Sequence, residues 1–173
     1  KGIVEAGVVP ASNIFCANRS VGKLIKIKDQ FNVNVCETNE ELIEKTDIVF
    51  LSMKPQDLIA AIDPMAGIFA EKQIVVSLAA GVRMESLEKH LPHCRIVRAM
   101  PNTPTIIAKG VVGFLLNEEN DSGLSDMIES LFSPLGYVVE VEDEDHFEAL
   151  MVSCSSGTGF VFEMMLYWQD WIQ

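Results

Sequence analysis

Short apolar runs alternate along the chain with longer stretches in which apolar residues recur every three or four positions. The first pattern predicts strands buried on both faces, and the second predicts amphipathic helices packed over them. Apolar runs predict strands at residues 13–17, 33–36, 47–53, 73–78, 95–100, 111–116 and 137–141. Helical periodicity predicts helices at 21–29, 55–69, 84–91, 124–135 and 145–152. Thr38-Asn39-Glu40-Glu41 marks a further helix start, with Asn39 or Thr38 as cap and acids in the first turn. Pro55 suits the first position of the helix it opens. This order predicts an α/β fold with a doubly wound, mostly parallel sheet.

The two ends break the alternation. Residues 1–6 read as the tail of a helix, with Gly7 where a helix C-cap belongs. Residues 160–173 read as a helix with no cap or breaker, so both ends are expected to be cut edges of a longer protein. The apolar run 160–172 carries Glu163 and Asp170 and is expected to be too short to cross a bilayer.

Composition narrows the function classes. Hydrophobic residues make up 49% of 173, enough for a packed core. Lys plus Arg number 13 and Asp plus Glu 25, a net charge of -12, which repels a phosphate backbone and argues against nucleic acid as partner. Cys16, Cys36, Cys94 and Cys154 are scattered, with no CxxC pair, so neither a metal site nor a disulfide framework is expected. They fit free thiols in the cytoplasm, and no membrane partner is expected. His90, His93 and His146 lack metal spacing and are expected at the surface, as is the acidic run Glu140, Glu142, Asp143, Glu144 and Asp145.

In open parallel sheets, ligands bind beyond the carboxyl ends of the strands. The residues expected there are Asn18, Arg19 and Ser20, then Thr38 and Asn39, then Ser52, Met53, Lys54 and Pro55. Ala79, Ala80 and Gly81 follow, and then Met100, Pro101, Asn102, Thr103 and Pro104. Small, polar or proline-shaped loops allow the close backbone approach and side-chain donation that an extended dinucleotide needs. Each loop alone is also an ordinary turn; together on one rim they favour a Rossmann-type binding groove. Arg19 stands where NAD-preferring domains carry an acid for the ribose hydroxyls, and a guanidinium beside Asn18 and Ser20 suits a 2′-phosphate instead. The other reading of Arg19 is a solvated turn residue.

The run Ile96-Val-Arg-Ala-Met-Pro-Asn-Thr-Pro104 resembles the characteristic segment of pyrroline-5-carboxylate reductases. Leu51-Ser-Met-Lys-Pro55, Val76-Ser-Leu-Ala-Ala-Gly81 and Ser153-Cys-Ser-Ser-Gly-Thr-Gly159 agree in order and spacing. The resemblance implies a Rossmann domain over residues 1–152, with its first strand and Gly-rich turn lying before Lys1. Residues 153–173 would begin an all-α domain that forms a homo-oligomer and supplies much of the substrate pocket. It also implies NADPH rather than NADH as cofactor, and reduction of a cyclic imine, 1-pyrroline-5-carboxylate, to L-proline. Under it, Asn39 reaches towards the adenosine, Ser52 to Pro55 give mainly backbone contacts, and Ala80, Asn102 and Thr103 lie near the nicotinamide. Asn39 also serves as a helix cap, and Asn102 and Thr103 also brace a proline-rich loop. No catalytic side chain is assigned, because the cofactor supplies the chemistry.

The resemblance departs at the entry to the second domain. The family reads close to Ser-Gly-Ser-Gly-Pro-Ala-Tyr, where this chain has Cys154-Ser-Ser-Gly-Thr-Gly-Phe160. Ser156 and Gly157 match, and the missing proline leaves Thr158 with a backbone N–H. Two other readings stay open: another NADP-dependent imine or keto-acid reductase of this architecture, or a nucleotide-binding homologue without catalysis. The large apolar residues from Phe160 to Trp171 are expected to surround their helix and to lie exposed on this chain.

Overall fold

The computed structural model describes residues 1–117 and 121–172. The chain opens on a short helix, α1 (Gly2–Glu5). It closes as a Schellman turn: Gly7 N–H donates to Val4 O and Val8 N–H to Ile3 O, with Gly7 at a φ of 67°. There follow β1 (Phe15–Cys16), α2 (Val21–Phe31), β2 (Asn34–Val35), α3 (Asn39–Lys45) and β3 (Ile48–Leu51). Next come α4 (Pro55–Ile62), β4 (Ile74–Ser77), α5 (Met84–His90), β5 (Arg95–Pro101) and β6 (Gly110–Leu116). The chain ends with α6 (Ser122–Phe132), β7 (Gly136–Glu140), α7 (Glu144–Met151) and α8 (Gly157–Ile172).

The α/β alternation is the one expected, with differences that have local causes. The helix expected over 55–69 stops at Ile62 and continues as a 3₁₀ turn, Asp63–Ile68, because Pro64 has no N–H to donate backwards. Pro134 likewise converts the end of α6 into a 3₁₀ turn, Ser133–Leu135. The strand expected at 13–17 shrinks to two residues because Ala11–Asn13 coil into a 3₁₀ turn.

Strands β3, β4 and β5 pair in parallel, β6 runs antiparallel to β5, and β7 is parallel to β6. Their order in the sheet is β3-β4-β5-β6-β7, while β1 and β2 form a separate parallel pair. Helices cover both faces. On one, Val49, Leu51, Val75 and Ile96 pack against Leu58 and Ile62 of α4, Leu87 of α5 and Phe147 of α7. On the other, Val76, Val97, Ala99, Val112 and Phe114 pack against Leu124, Ile128 and Phe132 of α6.

Helix α7 does not stop at residue 152, where a domain boundary is expected. It passes through a π-helical turn, Val152–Ser156, into α8, making one helix of 29 residues, Glu144–Ile172. By length and composition alone this joined helix, though not the run 160–172 taken by itself, is long and apolar enough to cross a bilayer. No residue of α8 is buried. Gln173, included in the expected helix, lies outside the described residues.

Candidate functional site

The parallel strands bring the loops at their carboxyl ends to one rim. After β1, Asn18 Oδ1 accepts the Ser20 N–H at 2.9 Å and bends the chain into α2. Ser20 is the N-cap of α2, yet no side chain caps that helix. Arg19 is 93% exposed, and its guanidinium lies 3.6 Å from Asp57 in the first turn of α4. That contact brings the loop after β1 beside the first turn of α4.

Of the two candidate caps for α3, Thr38 is the one used: its Oγ1 accepts the Glu41 N–H at 3.1 Å. Asn39 is exposed at the first helical position. Ser52, Lys54 and Pro55 are exposed, while Met53 rests against the core. Ala79 is buried, whereas Ala80 and Gly81 are exposed, and Gly81 turns the chain at a φ of 76° that side-chain-bearing residues rarely adopt. Met100 is half-buried, and Thr103 opens the 3₁₀ turn Thr103–Ile107 on the exposed side of the rim.

Asn102 is held internally at both ends of its amide. Its Oδ1 accepts the Val111 N–H at 2.9 Å, and its Nδ2 donates at 2.9 Å to the Cys154 carbonyl in the π-helical turn. Its backbone carbonyl takes the Thr105 hydroxyl at 2.7 Å. This is the bracing role expected of it, extended to the last helix. Met100, Asn102, Gly113, Leu150, Cys154 and Ser155 line a narrow crevice where that helix meets the sheet.

Glu140, Glu142, Asp143 and Asp145 are exposed, as expected of a solvated turn, and Glu144 is the exception. Glu144 Oε1 accepts the Met84 N–H at 2.6 Å, and its Oε2 accepts a hydrogen bond from the Arg98 guanidinium. Arg98 is 1% exposed and lies 4.4 Å from the centroid of the Phe147 ring. Asp143 caps α7 through the His146 N–H at 2.8 Å, and Glu140 accepts the Ser125 hydroxyl. His90 and His93 are half-buried rather than at the surface: His90 pairs with Asp63 at 2.7 Å and His93 meets the Phe69 carbonyl at 3.0 Å. Arg98, Glu144 and Asp57 carry no role in the sequence reading. A cation inside an apolar strand is the one signal that could have flagged Arg98.

All four cysteines are free, with Cys36 and Cys94 buried. Burial raises the thiols of Cys16 and Cys36 and pushes that of Cys94 up to about 11, so these thiols stay protonated near neutral pH. Among the described residues no group of His, Cys, Asp or Glu side chains is placed to hold a metal ion.

Residues 1–81 match the family model described as NADP oxidoreductase, coenzyme F420-dependent. Fold and rim thus define a Rossmann-type oxidoreductase domain. Over 165 residues the chain is 32% identical to the pyrroline-5-carboxylate reductase of Pseudomonas aeruginosa, covering 95% of this chain and 60% of that protein. The solved pyrroline-5-carboxylate reductase of Coxiella burnetii matches with a TM-score of 0.89 and 32% identity, over 98% of this chain and 64% of that one. A Plasmodium falciparum pyrroline carboxylate reductase with NADP bound shares the fold at a TM-score of 0.81 and 22% identity, over 96% of this chain and 60% of that one. The chain is similar to pyrroline-5-carboxylate reductases and spans about three fifths of these relatives' length.

Proposed function

We propose that the protein reduces 1-pyrroline-5-carboxylate to L-proline with NADPH, the last step of proline biosynthesis. The observation that carries this reading is continuity: the 32% identity to a reductase of that name runs over 95% of the chain and so takes in nearly the whole rim. NADPH, when bound, supplies the hydride; this chain binds and orients. Asn18, Arg19 and Ser20 meet the ribose 2′-phosphate, where a guanidinium and the uncapped, positive end of α2 attract a dianion. Asn39 lies on the adenosine side. Ser52, Met53, Lys54 and Pro55, then Ala79, Ala80 and Gly81, run beside the dinucleotide, and Met100, Asn102 and Thr103 lie towards the nicotinamide. Residues 1–152 are the dinucleotide-binding domain. Residues 153–173 begin a helical domain through which copies of the protein associate and against which the cyclic imine binds. The four free thiols support a reducing, cytoplasmic setting.

Cofactor preference tests the assignment of Arg19. A phosphate contact of this kind contributes about 1.5–3 kcal/mol, so kcat/KM for NADPH exceeds that for NADH by roughly tenfold or more. Arg19→Ala collapses that ratio, and an unchanged ratio refutes the assignment. A second test uses the 173-residue chain itself. The sheet breaks between β1 and β3, which supports the expectation that a strand and Gly-rich turn outside these residues complete the pyrophosphate cradle. The chain alone therefore binds NADPH weakly and turns over no imine. Micromolar NADPH binding, read by fluorescence titration, contradicts this. The departure over residues 154–160 favours one second reading, a related imine or keto acid as substrate, which a substrate panel on the full-length protein separates.

A further inference from the structure

The loop after β4, residues 78–83, carries Ala79, Ala80 and Gly81 to the rim, and one carboxylate joins its two ends. At its start, Leu78 N–H donates to Leu51 O at 3.1 Å, and Ser77 pairs in register with Arg98 of β5. At its far end, Met84 opens α5 and its N–H donates to Glu144 Oε1 at 2.6 Å. Glu144 Oε2 accepts from the Arg98 guanidinium, which closes the bridge from β5 to α5. Arg83, the last residue of the loop, adds contacts to Asp145 at 3.6 Å and to Glu148 at 3.5 Å. All three acids lie in the first five residues of α7.

The Met84 N–H is the first of its helix, so α5 itself holds no acceptor for it. A side chain 60 positions away supplies one, at a helix start where negative charge is favoured. The same carboxylate neutralises an arginine that is 1% exposed, and the Phe147 ring, 4.4 Å from the guanidinium, holds that arginine from another side. Between the two fixed ends the chain bends at Gly81, with a φ of 76° and the widest backbone freedom of any residue type. A loop with such a bend keeps one shape only while both ends are held.

We propose that Glu144 is a positioning residue for the cofactor: anchored by Arg98, it clasps the loop after β4 through the Met84 N–H and keeps Ala79–Gly81 set for the dinucleotide. The effect on the cofactor rests on the reading of those three residues as dinucleotide contacts; the clasp itself does not. Two substitutions open it from opposite sides. Glu144→Gln keeps the length of the side chain and one acceptor, but its amide cannot accept from both Met84 and Arg98. Met84→Pro removes the donated N–H and leaves the Arg98–Glu144 pair in place. Proline is tolerated at the first position of a helix, and Arg83, at φ -73° and ψ 158°, already has the extended backbone required before it. Met84→Ala, which shortens the same side chain and keeps the N–H, is its reference.

The experiment uses the full-length protein and measures Kd for NADPH by fluorescence titration, Tm, and exchange of the Met84 amide. Met84→Pro raises Kd about tenfold over Met84→Ala, the cost of ordering roughly one more backbone residue on binding. Glu144→Gln raises it by a similar factor over the unsubstituted protein. Added to Met84→Pro, Glu144→Gln raises it less than about twofold further, since the bond it weakens is already gone. The Met84 amide is protected in the unsubstituted protein and exchanges about tenfold faster in Glu144→Gln, where a charge-assisted bond becomes a neutral one. Equal NADPH affinity in Met84→Pro and Met84→Ala overturns the proposal. So does a Glu144→Gln that lowers Tm and leaves Kd unchanged, the mark of a purely structural pair. Full additivity of the two substitutions also overturns it, because Glu144 would then reach the cofactor by another route. If the Met84 variants do not fold, Glu144→Gln decides; if none folds, an unprotected Met84 amide in the unsubstituted protein overturns the clasp and a protected one upholds it. If the unsubstituted protein binds neither NADPH nor NADH, the dinucleotide reading fails, and exchange of the Met84 amide decides the clasp alone.

Discussion

Arg98 is a full positive charge placed in the most crowded layer of the molecule, and one carboxylate together with one aromatic face makes that tolerable. Glu144 is 22% exposed on its side chain against 1% for Arg98, so the cation is the more deeply committed partner. Removing the carboxylate strands a buried guanidinium, which costs more than the pair contributes when intact. Glu144→Ala is expected to lower unfolding free energy by about 3 kcal/mol in denaturant titration, with Arg98→Met plus Glu144→Leu recovering part of it. A loss under about 1 kcal/mol would mean that water reaches Arg98 and that the pair behaves as a surface contact. The arginine was legible in advance, since an ion among Val97, Ala99 and Ile96 demands a partner. Its partner was not: Glu144 lies 46 positions away in an acidic run that reads as solvated until the fold closes on it. Asn102 divides in the same way. Its place on the rim follows from the strand order, while its bond to Cys154 depends on how a later helix is wound.

Helix starts carry the titrating part of the stability. Asp121 caps α6 through the Leu124 N–H at 3.1 Å, and the Arg95 guanidinium beside it is the main reason its carboxyl sits below the usual range. Asp143 is also held low, chiefly by the His146 N–H it accepts. A carboxyl with a depressed value in the folded state adds stability that is complete above its unfolded value, about 4. That contribution drains away as pH falls through the lower folded value. Thermal melts between pH 6 and pH 2 are therefore expected to show a falling acid limb, flatter in Asp121→Asn, which still caps but no longer titrates. An unchanged limb would show that the Arg95–Asp121 pair adds nothing. Elements of this kind were largely legible, because caps, prolines and apolar period are local. Thr38 caps α3, and Pro55 sits at the start of α4. The reversal of β6 was not legible, since the apolar run 111–116 reads alike whether its neighbour is parallel or antiparallel. Continuity from α7 to α8 was also hidden. Ser153, Ser155, Ser156 and Gly157 look like a linker, and the Asn102 amide that donates to the Cys154 carbonyl comes from 52 positions away.

At the scale of the whole molecule the unresolved tension is α8. Phe160, Phe162, Tyr167, Trp168 and Trp171 all stand in solvent on this chain, Trp171 at 92% exposure, and they are spread around the helix rather than along one stripe. A helix apolar on all sides is stable only when several neighbours cover it. The domain buries no residue of it and half-covers only Gly157 and Thr158 at its start. Cover must come from another surface, and two kinds are physically available. A bilayer fits the length of the joined helix, but Glu144–Ile172 contains no Lys or Arg to anchor at an interface, and it carries Glu163 and Asp170 in its apolar half. Helices of a second copy are the cover we expect instead. The 173-residue chain is therefore expected to sediment as a dimer or larger species, and a chain ending at Ser156 as a monomer. Neutral phosphatidylcholine vesicles, which remove the charge repulsion expected from a net charge of -12, are expected to leave the longer chain unbound in flotation. Flotation with the vesicles would reverse the assignment of this helix to protein contact. A stable monomer that keeps α8 would show that the helix folds back onto its own domain.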